Sequence, residues 1–242
     1  MLRYLRSEIY RLLHKKSMYL YLAGLAILYA LFAFVRSGGF TPDSLISHAV
    51  DLFTFLPPLV GGYFFAALYT DDLSSKNLTT LIGFGMSKTG LVLAKLILML
   101  VSCAVLYGLM PLFHCALYAV LGWPGSAANM ATVYLFALRA LLLTLAFAAL
   151  SGIVVYGLQR GTFAFVLYIL LAFNLISSML TVFVKMFVPL LADYLILGIT
   201  DRMVTGLLLG GPLLLPCIAY VLYVAVAAAL SALAFHKKEM EF

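Results

Sequence analysis

Between Lys95 and Lys185 the chain carries only two charged side chains, Arg139 and Arg160. That scarcity of charge decides the solvent. A soluble domain averages about 25% charged residues, whereas this chain has 10%, against 65% hydrophobic residues. Its 242 residues hold too little polar surface to wrap so apolar a chain in water, so the surrounding medium is lipid. The expected class is an all-α membrane protein. The formal charge of +6 is no nucleic-acid signature, because the basic residues sit at the ends of apolar segments and form no stripe. Cys103, Cys115 and Cys217 lie inside apolar runs, where cysteine behaves as a small hydrophobe and reports nothing about redox compartment.

Residues 2–16 place Leu2, Leu5, Ile9 and Leu12/Leu13 at helical spacing with Arg3, Arg6, Arg11, Lys15 and Lys16 between them. This is the pattern of a basic amphipathic helix lying in the membrane interface. The apolar run 18–35 exceeds a signal-peptide core and no small-x-small site follows, so a retained first span is expected. Thr41-Pro42-Asp43-Ser44 reads as a helix start with proline at an early position. A second span over 51–69 contains Pro57-Pro58 and Gly61-Gly62, breakers that neighbouring helices can compensate in a membrane, so it is expected to be bent and packed inside the bundle. A third span runs from about 89 past Pro111 to 121, with a kink or an outer end at Pro111. Gly122-Trp123-Pro124-Gly125 follows as a turn with an interfacial anchor. The fourth and fifth spans cover 128–158 and 162–184. Residues 185–211 are apolar but interrupted by Pro189, Asp193, Gly198, Asp201, Arg202, Gly206 and Gly210-Gly211, which predicts two short helices dipping into the outer leaflet. The sixth span covers 212–235.

Six spans put both termini on one side. The amino end, residues 71–88, the Arg160 turn and the tail hold most of the Lys and Arg, and the opposite loops hold only Arg36, Lys185 and Arg202. The positive-inside rule places both termini in the cytoplasm. No internal repeat is visible, so the inverted-repeat logic of many secondary transporters has no support. The whole chain, 1–242, reads as one membrane domain.

Residues 71–88, DDLSSKNLTTLIGFGMSK, are the long polar interruption of the first half. As a helix, Leu73, Leu78, Leu81 and Ile82 form a narrow apolar stripe, and Gly83 and Gly85 end it. The stretch is too small to be a domain and the right size to be gripped by one. Its last residues superficially resemble a phosphate loop, but Ser87 stands where the glycine before the lysine is required and no strand precedes it. Leu150-Ser151-Gly152 lacks the glycine two before the serine expected of an intramembrane serine protease. His14, His48, His114 and His236 are scattered, with no H-E-x-x-H pattern. Nothing reads as an enzyme site, and no cofactor is expected on this chain.

Polar residues inside spans are candidates for function. Arg139 lies in the outer half of the fourth span, where a central arginine costs about 2.5–3.5 kcal/mol on insertion scales. It either faces the bundle or snorkels to the headgroups, and the sequence leaves both open. Asn174, Ser177, Ser178 and Thr181 recur along the fifth span, as interhelical glue or as a substrate path.

The opening Leu5-Arg6-Ser7-Glu8-Ile9-Tyr10-Arg11-Leu12-Leu13-His14-Lys15-Lys16-Ser17 resembles the amphipathic first helix of bacterial type-2 ABC transporter permeases, in which an early acid is followed by a basic pair just before the first span. The resemblance continues in Asp71-Asp72, Lys76, Thr79-Thr80, Gly85-Met86-Ser87-Lys88 and Lys95. It departs at Lys76-Asn77, where glycine is usual, and at Lys88, where arginine is usual. It implies the membrane half of an exporter whose partner ATPase, carrying ATP and Mg, grips residues 71–88 as a coupling helix. Contact with that partner falls on Asp71, Asp72, Lys76, Leu78, Leu81 and Lys88. A second permease chain, the same or similar, completes the assembly. Arg139, Asn174 and Ser178 are then candidates for the pathway or for bundle packing. The alternative is a self-contained secondary transporter or channel, which needs a membrane-buried coupling carboxylate that the spans do not offer.

Overall fold

The structure, a computed structural model, describes residues 2–35, 42–74, 81–120 and 126–237. Among these residues it is helical nearly throughout and contains no strand. The amphipathic opening forms α1, Leu2–Leu13, with Glu8 and Leu12 buried and Arg3, Arg6 and Tyr10 exposed. Lys15 interrupts it, and α2, Lys16–Val35, starts at once. α2 is apolar all round, so Leu25 and Tyr29 face the bundle while Leu20, Leu28 and Leu31 stay exposed.

The next helix begins at Pro42, not near Asp51: α3 is Pro42–Leu56, so the expected helix start and the expected span are one element. It continues through two wide π turns, Pro57–Gly61 and Ala66–Thr70, separated by Gly62–Phe65, and ends in Asp71–Ser74. Proline lacks the donor that the α ladder needs, and a wide turn is one way to absorb the loss. The Tyr168 hydroxyl donates to the Pro57 carbonyl at 2.7 Å, the interhelical compensation expected in lipid. Gly61 makes that bond possible, because a Cβ there would overlap the Tyr168 hydroxyl and the Thr144 methyl.

α4, Lys88–Val120, passes through Pro111 without ending; its 33 residues span about 50 Å at 1.5 Å per residue, more than a bilayer core. α5, Ala127–Leu158, begins at Ser126, whose Oγ accepts from the Asn129 N–H at 3.2 Å, and ends at Gln159 in the left-handed region, φ 53°. It is the axis of the bundle, packed against α3, α4 and the helices that follow. α6, Gly161–Ala172, and α7, Leu175–Phe187, meet at an angle of 63°. The stretch is therefore bent, where one continuous fifth span over 162–184 was expected. Asn174 occupies the break with φ 59°, a conformation asparagine tolerates better than most residues.

Of the segment 185–211, Pro189–Ala192 is one helical turn and α8, Ile196–Leu209, is a helix of 14 residues. α9, Leu214–Lys237, then returns along α5. Small residues let the two approach: a Cβ on Gly152 would lie 3.3 Å from Ser231 Oγ, and one on Gly157 3.8 Å from Ala234 Cβ. Such seams are how membrane helices gain packing without a hydrophobic driving force.

Among the described residues four helical runs are long and apolar enough to cross a membrane, Ser44–Leu73, α4, α5 and α9, or five if the bent pair α6–α7 counts as one span. The apolar part of α2, Lys16–Phe32, is shorter.

Candidate functional site

The turn Asp71–Ser74 brings two neighbouring carboxylates to the meeting point of α1 and α4. Asp71 is half-exposed and pairs with Lys15, Nζ to Oδ2 2.6 Å. Asp72 points the other way, 1% exposed, into an ion pair with Lys95 of α4, which is equally buried. The α1 face completes the cluster. Arg11 Nη2 lies 2.7 Å from Glu8 Oε2 and 3.2 Å from Asp72 Oδ1, and donates to the Ala67 carbonyl at 3.3 Å. Lys95 Nζ is 3.7 Å from Glu8 Oε2 and 5.5 Å from the Tyr4 ring centre. Two cations and two anions therefore balance in a site closed off by α1. Burial works against the Arg11 charge, but Asp72 and Glu8 outweigh it and hold the guanidinium pKa above its ordinary value. Burial, reinforced by Glu8 and Asp72, pushes the Tyr4 phenol up.

Asp72, expected at the partner contact, has its side chain tied inside the chain's own cluster. Leu81 is half-buried and packs with Leu73 and Ile82 against the chain's own core, so this part of the expected apolar stripe also faces inward. Lys76 and Leu78 lie outside the described residues. Lys88 opens α4, donates to the Phe235 carbonyl at 3.1 Å and sits 5.5 Å from the Phe235 ring centre, while Thr89 Oγ1 and His236 Nε2 share a hydrogen bond of 3.0 Å. The start of α4 and the end of α9 are thereby joined.

The expected glycine stop is a paired cap. The Met86 N–H donates to Leu81 O at 3.2 Å and the Gly85 N–H to Ile82 O at 2.9 Å, with Gly85 at φ 86°. Such a cap needs a left-handed residue, and glycine takes it without cost. One residue before it, Phe84 is 85% exposed. The sequence reading passed over Phe84, although an aromatic residue flanked by two glycines in a polar loop is a visible signal.

Arg139 is 4% exposed and faces the bundle, which removes the snorkelling alternative. Its Nε and Nη1 have no hydrogen-bond partner among the described residues, and Tyr220 and Asp201 interact with it electrostatically. Asn174 belongs to the break, with a buried Oδ1 that lacks a partner there, and so does not continue a helical polar row. Ser178 is exposed and donates to Leu175 O at 3.0 Å; the buried Thr181 hydroxyl donates to Ser177 O at 2.7 Å. Both bonds run back along α7 and join no second helix. The histidines are less scattered than their spacing suggests. His114 is hydrogen-bonded to Tyr29 and, through Nε2, to Leu45 O at 3.0 Å, and His48 to Tyr118. Together they tie α2, α3 and α4 at the end remote from the charge cluster.

A model of the ABC-2 family transporter protein matches residues 4–173. The chain belongs to the ABC-2 family. No curated protein matches it. The matched range takes in every member of the Glu8–Arg11–Asp72–Lys95 cluster and stops at the α6–α7 break, leaving α7, α8 and α9 beyond it. As an ABC-2 permease it is a multi-pass membrane subunit of an ABC transporter, a transport subunit and not a catalytic one.

Proposed function

We propose that the chain is the membrane half of an ATP-driven exporter in a bacterial cell membrane. Two such chains, identical or similar, pair with two separate ATPase subunits that carry ATP and Mg. The chain crosses six times, with α2 and the bent α6–α7 pair as spans, both termini in the cytoplasm and residues 185–211 in the outer leaflet. The ATPase grips residues 71–88, with Asp71 and Phe84 on the surface it meets and Lys76 and Leu78 as expected contacts. Closure of the ATPases on ATP pulls this stretch, and the spans shift between states of different access.

One observation carries this reading, the buried pairing of Asp72 with Lys95. It anchors residues 71–74 to α4, and Arg11 and Glu8 anchor the same point to α1. A pull on the stretch is therefore delivered to a span and to the interfacial helix together, where a solvated loop would absorb it. The test is purification of the permease from its native membrane and mass spectrometry of the intact complex. An ABC ATPase retained in a two-to-two assembly is the expected result; a chain that purifies alone and transports without ATP overturns the reading.

A further inference from the structure

Of the three cations expected on the side away from the termini, two, Lys185 and Arg202, converge on one cavity of about 790 Å³ between α7, α8 and α9. Charges in that setting are expensive and need a reason. Arg202 is committed: its Nη2 lies 2.6 Å from Asp193 Oδ2 and its guanidinium 5.3 Å from the Tyr194 ring centre. The Tyr194 carbonyl in turn accepts from the Tyr223 hydroxyl at 2.9 Å, so this wall is fixed to α9. Lys185 of α7 and Asp201 of α8 also line the cavity, and neither forms an ion pair among the described residues. The α9 wall is a strip of Leu215, Ile218 and Leu222, spaced to share one helix face. A single cavity thus presents an ammonium and a carboxylate that form no ion pair among the described residues, the carboxylate acting on Arg139 only electrostatically, and an apolar strip. Its volume falls in the range of small-molecule sites.

We propose that this cavity binds a phospholipid whose headgroup carries both a phosphate and a primary ammonium, the phosphatidylethanolamine class. Lys185 donates to the phosphate, Asp201 accepts from the headgroup ammonium, and an acyl chain lies on the α9 strip. A purely anionic lipid would leave Asp201 facing negative charge, and a soluble zwitterion would leave the strip uncovered. The assignment rests on the chain's place in a membrane and not on the direction of transport.

The experiment uses the full chain exchanged into nanodiscs of equal phosphatidylethanolamine and phosphatidylglycerol, with retained lipid counted by native mass spectrometry. Phosphatidylethanolamine should be retained about tenfold over phosphatidylglycerol. Asp201→Asn, at an exposed position, should bring the ratio close to one. Lys185→Gln, also exposed, removes the contact to the phosphate that both lipids share and should lower the retention of both, and Lys185→Arg should restore it. Equal retention of the two lipids by the unaltered chain, an unchanged preference in Asp201→Asn, or unchanged total retention in Lys185→Gln overturns the proposal. Excess phosphoethanolamine in the buffer should leave the lipid in place; displacement would assign the site to a soluble zwitterion and overturn the lipid. The readout needs neither ATP nor a partner, so its failure is distinct from failure of the exporter reading.

Discussion

Lys95 of α4 and Asp72 at the end of the α3 run form an ion pair in which each side chain is 1% exposed. Removing one charge of a buried pair leaves the other uncompensated, at a cost of about 3–5 kcal/mol. Lys95→Met and Asp72→Leu should each lower the unfolding temperature of the purified permease sharply. The double variant should recover most of the loss, because Glu8 and Arg11 then still balance. Thermal unfolding followed by size-exclusion chromatography measures this, and additive losses in the double variant would contradict a coupled cluster.

Gly61 tests the α3 wide turn. Gly61→Ala drives a methyl group into the Tyr168 hydroxyl and Thr144, and overpacking costs about 1–3 kcal/mol. Gly24→Ala, where nothing lies within 4 Å, is the control and should be neutral or slightly stabilising in α2. Tyr168→Phe added to Gly61→Ala should recover part of the stability, since it removes the atom nearest the new methyl. An equal effect of the two alanine substitutions would deny the contact.

Orientation is tested by cysteine labelling in intact cells. A cysteine at Phe84, 85% exposed, should react only with a membrane-permeant reagent, and one at Ser126 with an impermeant one. Reaction of both from outside would invert the proposed topology.

Phe84 also tests the partner. An exposed aromatic anchor at a docking surface typically carries about 2 kcal/mol or more, beyond tenfold in affinity. Phe84→Ala should therefore strip the ATPase from the complex during purification while leaving permease stability unchanged. Leu81→Ala, at a position packed on the chain's own core, should instead reduce stability. Full ATPase retention by Phe84→Ala would move the docking surface elsewhere.

Arg139 is buried with Nε and Nη1 unpartnered among the described residues. A buried charge without hydrogen-bond partners is costly to keep, and an apolar replacement removes that cost. Arg139→Leu should hold or raise the unfolding temperature and impair transport in proteoliposomes. A variant that transports normally would make Arg139 a structural residue only.

Much of this architecture was legible from local chemistry. The bounds of α5 follow from Ser126 as a cap and from the Gln159-Arg160-Gly161 stop, and both act within one turn. The α6–α7 break was not legible, because an asparagine in an apolar run announces no left-handed turn as glycine would. The charge cluster was visible only in pieces. Glu8, Asp72 and Lys95 each stand near a span end, where a solvated role is the simpler reading, and only tertiary packing shows that they share one buried point. His48 and His114 eluded spacing arguments for the same reason, since their tyrosine partners lie on other helices.

The two wide turns of the α3 run have a consequence for rotational phase. His48 and Asp72 stand twenty-four residues apart, which at about 100° per residue would set them about 240° apart around an unbroken α-helix. Each wide turn takes up one extra residue, and two of them bring the separation to about 40°, so both side chains can point into the same interior. Deleting a single residue within Pro57–Gly61 would return that turn to α geometry and keep Asp72 facing Lys95, whereas deleting one within the α stretch Gly62–Phe65 would turn Asp72 about 100° away, dissociating the two ends of one rod that the wide turns keep in step.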